Sequence, residues 1–177
     1  MKTVFCGAAA AVLFSLSPVF AHATLESGTA QRGAAYKAVI RIGHGCEGKA
    51  TKALRVALPE GFVSAKPMPK AGWHLKVENG AYAARYVVHG SPVAEGARTV
   101  VWSGGVLEDA WYDEFVVRGT VAAELAVDTP LYFKVTQLCD GAQAAWTEVP
   151  AAGETTSDLA MPAPMVTVIE GMTHSHH

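Results

Sequence analysis

The sequence is poor in charge, in cysteine and in long apolar runs, and each shortage excludes something. Only 17% of its 177 residues are charged, with 14 Lys+Arg against 16 Asp+Glu. No Lys/Arg block occurs, which argues against nucleic acid or an anionic membrane as the main partner. No stretch reaches the ~20 apolar residues that a transmembrane helix needs. The C-x-x-C, H-E-x-x-H and G-x-S-x-G patterns are missing, and with them the familiar thiol-redox, zinc-protease and hydrolase signatures. Asp109, Asp113 and Glu114 make an acidic patch that reads as a solvated loop rather than as paired catalytic carboxylates. No window holds a 3.6-residue apolar period, so helix content is expected to be low.

What is present begins with Met1 to Ala21. Lys2 precedes an apolar run from Val4 to Leu16, which ends in the small-residue pattern Val19-Phe20-Ala21. This reads as a secretory signal peptide cleaved after Ala21, making His22 the first residue of an exported, periplasmic or secreted product with no membrane span. Cys6 leaves with the signal. Cys46 and Cys139 remain, and in an oxidising compartment such a pair is expected to form a disulfide. The rival reading is a two-thiolate metal site.

The mature chain alternates polar and apolar residues in short runs. Strands are expected at Tyr36–Ile42, Leu54–Leu58, Trp73–Val77, Tyr82–Val88, Thr99–Trp102, Phe115–Val121 and Leu131–Leu138. Asn79-Gly80, Ser103-Gly104-Gly105, Asp128-Thr129-Pro130 and Asp140-Gly141 supply turn signals between them. Many short strands at close spacing indicate an all-β sandwich or barrel. Asp140-Gly141 predicts a tight hairpin whose returning strand runs through Trp146. The four tryptophans are expected mostly in the core. The domain is expected to span 22–150. Pro150 to Pro164, rich in Ala, Pro, Ser and Thr, opens a flexible segment over 151–177, within which Met165–Ile169 is a candidate edge strand.

Histidine carries the chemistry. At a mature N-terminus, His22 offers its α-amine and its own Nδ1, which chelate one ion together. Two nitrogens in one chelate favour Cu(II), near the top of the divalent affinity order. His44, in Gly43-His44-Gly45-Cys46, lies two residues before a bridged cysteine and is expected near the Asp140-Gly141 hairpin. It reads either as a second imidazole ligand or as a half-buried histidine bonded to a loop carbonyl. Met172, His174, His176 and His177 form a soft-ligand tail suited to loose copper capture. Trp146 would lay its indole beside a cation and shield it from water.

These residues fall into a recognisable set. His22-Ala23-Thr24, Lys66 to Trp73, Val101 to Leu107, Tyr112 to Phe115, Gln137 to Gly141 and Trp146 run in order, and the sequence carrying them resembles the YcnI-like copper-binding domain family of exported bacterial proteins. The resemblance implies an immunoglobulin-like β-sandwich. It also implies a Cu(II) site of the single-histidine brace type, with His22 as the brace histidine and Trp146 as the neighbouring tryptophan. The family's carboxylate ligand has no counterpart, because Tyr36-Lys37 stands near its place on the first strand. Glu26, His44 or water are the candidates to replace it, with His44 preferred. The leading functional expectation is copper storage, buffering or delivery, with a copper-accepting periplasmic or membrane protein as partner. The alternatives are a copper oxidase or monooxygenase, which would need a second histidine facing the first, and a metal-free structural sandwich.

Overall fold

In a computed structural model, residues 22–171 are described. The expected signal peptide (1–21) and the tail ligands Met172, His174, His176 and His177 lie outside the described residues. The described chain is built from twelve strands and one 3-10 turn, Thr156–Asp158.

Strands β1 (Thr24–Leu25), β3 (Ala35–Ile42), β8 (Asp113–Val121) and β5 (Phe62–Pro67) form a four-stranded sheet in the order β1-β3-β8-β5. A five-stranded sheet runs β11 (Gln143–Trp146), β10 (Lys134–Cys139), β4 (Thr51–Ala57), β7 (Ser91–Leu107), β6 (His74–Val88). A three-stranded sheet places β12 (Met165–Ile169) between β2 (Thr29–Gln31) and β9 (Pro130–Tyr132). The all-β sandwich expected from the period-two pattern is therefore observed.

The inward side chains of all three sheets join one core. It includes Ile40, Phe62 and Phe115 from the four-stranded sheet, Trp102, Val135 and Trp146 from the five-stranded sheet, and Leu131, Val166 and Val168 from the three-stranded one. Burying such a side chain contributes about 1.5–3 kcal/mol. Trp102 packs edge-on to Phe115 with centroids 5.4 Å apart, and Trp73 meets the same phenyl ring at 5.1 Å. Only Trp102 and Trp146 are fully buried. Trp73 is half-buried against the core, and Trp111 is exposed.

The Asp140-Gly141 turn is present. β10 and β11 pair antiparallel from Val135↔Trp146 to Leu138↔Gln143, with Gly141 at φ 72°. Two other turn signals are corrected. β6 continues through Asn79-Gly80 with a register shift between Glu78 and Asn79, Gly80 lying opposite Gly96, where the Tyr82 hydroxyl occupies the place a Gly96 side chain would take. β7 passes through Ser103-Gly104-Gly105, where the Trp73 and His74 rings fill the space beside the two glycines. Gly96, Gly104 and Gly105 make room for rings, and neither motif ends its strand.

The boundary at 150 is also corrected. β12 is a central strand and not an edge, parallel to β2 and antiparallel to β9, and its Val166 and Val168 are fully buried. The sandwich therefore continues through Ile169, because without these valines the core would be open on that side.

Cys46 and Cys139 are joined, with Cα atoms 5.9 Å apart. The bridge ties the loop after β3 to the end of β10, so the sulfurs are bonded to each other and do not form a two-thiolate metal site.

Candidate metal centre

The chain enters the sandwich at a fixed point. Ala23 is buried in the core. Thr24 and Leu25 then pair with Arg41 and Ile40. The first described residue, His22, is thus held at the rim by its neighbours while its own side chain stays exposed.

From the other side, the hairpin delivers Trp146. Its indole is 1% exposed, and its centroid lies 5.1 Å from that of the His22 imidazole, with the rings tilted by 54°. The indole Nε1 is buried without a hydrogen-bond partner. An unpaired buried donor costs about 1–3 kcal/mol. The indole N–H is a donor only, so Trp146 can meet a cation through its ring face and not through this nitrogen.

Two clefts adjoin this ring pair. His22, Thr24, Leu25, Pro162, Pro164 and Met165 line one of about 260 Å³. His44, Glu47, Gln143, Trp146 and Met161 line a smaller one of about 90 Å³. The segment 161–165 thus walls both, and sequence reasoning missed it by treating the region as loose. The segment is pinned directly behind the hairpin: Glu148 N donates to Met161 O at 3.1 Å, Ala163 N to Glu148 O at 2.8 Å, and Met161 N to the Glu148 carboxylate at 2.7 Å. The alternation Met165-Val166-Thr167-Val168-Ile169 was the available signal.

His44 is half-buried against the hairpin, where the sequence placed it. Its Nδ1 makes a close contact with the Gly45 carbonyl. Its own carbonyl accepts from Gln137 Nε2 at 2.7 Å, and the same amide donates to Thr51 Oγ1 at 2.7 Å. Gly45 N donates to Asp109 Oδ1 at 3.0 Å. The loop is therefore locked by the disulfide, Gln137 and Asp109 together. His22 and His44 line different clefts, with Trp146 against both.

Glu26 is engaged by a cation. Its carboxylate pairs with Arg41 at 3.1 Å, and Arg41 also faces Glu114 at 3.7 Å. Among the described residues no group of three or more His, Cys, Asp and Glu side chains is arranged to hold a metal ion.

Residues 22–168 match a family described as a domain of unknown function, DUF1775. The chain belongs to this family. It is the same domain as the YcnI-like resemblance read from the motifs. The chain is also similar to a solved structure of an uncharacterized protein from Nocardia farcinica that reveals an immunoglobulin-like fold. The two share 25% identity over 84% of this chain and 98% of the other, with a TM-score of 0.60. No curated protein sequence matches. The DUF1775 domain here is accordingly an immunoglobulin-like β-sandwich.

Proposed function

We propose that this DUF1775 domain is an exported copper-binding protein that stores, buffers or delivers Cu(II). The observation that carries the reading is the His22–Trp146 ring pair, at a chain entry point fixed by Ala23 and β1. Once the chain begins at His22, its α-amine and imidazole form the chelate, and Trp146 closes one side of the ion against water. The match to the family begins at this same residue, and the Cys46–Cys139 bridge suits an oxidising compartment, periplasmic or extracellular.

The donor set fits a chelated cargo ion with open positions. Glu26 is neutralised by Arg41, so solvent supplies the remaining ligands until a copper-accepting protein replaces them. Ligand exchange at an exposed rim then transfers the ion without chemical turnover. The oxidase reading asks for a second histidine facing the first, and His44 lines the other cleft.

The test is Cu(II) titration of signal-cleaved protein followed by EPR. One tight equivalent is expected in protein starting at His22. It is lost in His22→Ala and lost when one residue is added before His22. A full copper signal in His22→Ala refutes the brace.

A further inference from the structure

Lys37, Arg118 and Lys66 form one row across three neighbouring strands. Lys37 on β3 lies opposite Arg118 on β8, and Arg118 lies opposite Lys66 on β5. All three side chains are exposed. Like charges placed directly across strands destabilise a sheet, and elsewhere this sheet avoids the arrangement. Four residues along the same two strands, Arg41 faces Glu114, and Lys70 pairs with Asp113 at 2.6 Å. Among the described residues the three row cations make no ion pair, while eight other pairs are formed.

The row runs into a built concavity. β5 bulges between Val63 and Lys66, putting Ser64 at φ 51°. The β6–β7 hairpin brings its tip over the same strands, with His89 and Gly90 both at positive φ, 49° and 78°. A two-residue tip of that kind favours Asn-Gly, and here a histidine accepts the conformation. Four non-glycine residues have positive φ in the described chain, and two of them, Ser64 and His89, meet here. Strained backbone of this kind clusters at binding sites. The cleft measures about 350 Å³ and is lined by Lys66, Arg118, His89, Ser64 and Thr120, with no carboxylate among its lining residues.

We propose that this cleft, between the β6–β7 hairpin tip and the outer face of β5 and β8, binds a phosphate-type oxyanion. Arg118 offers the planar fork that fits two phosphate oxygens, and Lys66 adds a compact positive charge. The Ser64 and Thr120 hydroxyls and the His89 ring supply shorter-range donors. The anion relieves the repulsion in the cation row, which explains why the row is tolerated. The site is independent of the copper reading, since it uses none of the residues at the His22 rim.

The same chemistry is offered by free phosphate and by an anionic lipid headgroup, and two arms separate them. In the first, 15N-labelled protein is titrated with inorganic phosphate and pyrophosphate at constant ionic strength. Saturable amide shifts are expected at Ser64, Lys66, His89 and Thr120. The K66Q/R118Q double variant should bind about tenfold more weakly or worse, and K134Q should match the parent. In the second, the protein is sedimented with phosphatidylglycerol or phosphatidylcholine vesicles. Retention on the anionic vesicles alone, lost in K66Q/R118Q, assigns the oxyanion to a headgroup. Without ligand, the double variant should melt at or above the parent temperature, because removing opposed cations relieves repulsion. Non-saturating shifts spread over all surface cations, or parental binding by K66Q/R118Q in both arms, overturns the proposal.

Discussion

The imidazole of His22 lies 5.1 Å from the indole of Trp146, although 124 positions of sequence separate them. Two unrelated structural events produce the contact. Burial of Ala23 and pairing of β1 with β3 fix one partner, while the Asp140-Gly141 hairpin swings the other back from Cys139.

That proximity makes Trp146 a reporter. Cu(II) chelated at His22 should quench tryptophan emission in proportion to occupancy. Trp146→Phe should keep the copper stoichiometry, lose the largest part of the quench and alter the EPR parameters or the exchange rate. Equal quenching in Trp146→Phe would place the ion elsewhere. Trp146→Ala is a poorer probe, since emptying so large a buried site costs about 3–5 kcal/mol.

Glu26 gives a second test. Its partner is Arg41, both side chains are partly exposed, and such pairs contribute about 0–1 kcal/mol. Glu26→Gln should therefore bind Cu(II) as the parent does and unfold within about 1 kcal/mol of it. A tenfold loss of copper affinity in this variant would make Glu26 a ligand and require it to leave Arg41. The comparison is read by competition with a chelator of known affinity and by urea unfolding.

Two connections far apart in sequence should dominate stability. The Cys46–Cys139 bridge closes a loop of 93 residues, and its loss in the double alanine variant should cost about 2–4 kcal/mol in denaturant midpoint analysis. Ending the chain at Pro150 removes β12 and exposes the core that Val166 and Val168 cover. This truncation should abolish cooperative unfolding. A sharp transition in the truncated chain would mean that the sandwich closes without β12.

The local features of this molecule were legible, and the long-range ones were not. Tyr36–Ile42 alternates visibly, and the structure places β3 over Ala35–Ile42. Asp140-Gly141 carries its turn chemistry within two residues. Asn79-Gly80 misled because it pairs across the sheet with Gly96, which makes room for Tyr82, and Ser103-Gly104-Gly105 because its glycines make room for Trp73 and His74, and no local pattern records either. The segment after Pro150 was hidden by its Ala/Pro composition, although Met165–Ile169 alternates as a buried strand should. At the site, the place of His44 beside the hairpin followed from chain order and the disulfide, whereas the nearness of His22 to Trp146 was implied by the family resemblance. The capture of Glu26 by Arg41 and the row Lys37–Arg118–Lys66 depend on strand register, which the sequence does not display.

Tyr36 ties the N-terminal strand to alkaline stability. Its ring packs against Phe62 and Phe133, and its hydroxyl donates to the Ser27 carbonyl at 2.9 Å. Burial, and then the negative charge of Glu26, push the phenol up from about 10 to about 12. The folded state thus holds this proton more tightly than the unfolded chain does. The resulting stabilisation is complete below pH 10 and is lost as pH rises from about 10 through about 12. Two units correspond to an amount on the order of 2–3 kcal/mol. Tyr86, also raised to about 12, chiefly by burial and then by its hydrogen bond to Glu60, acts in the same direction. Tyr36→Phe should therefore be less stable than the parent at pH 8, where it lacks the bond to Ser27. The gap should narrow as pH approaches 12, because phenylalanine has no proton to lose. Parallel stability curves for the two proteins between pH 9 and pH 12, measured by urea midpoints, would show that Tyr36 ionises as freely in the fold as outside it.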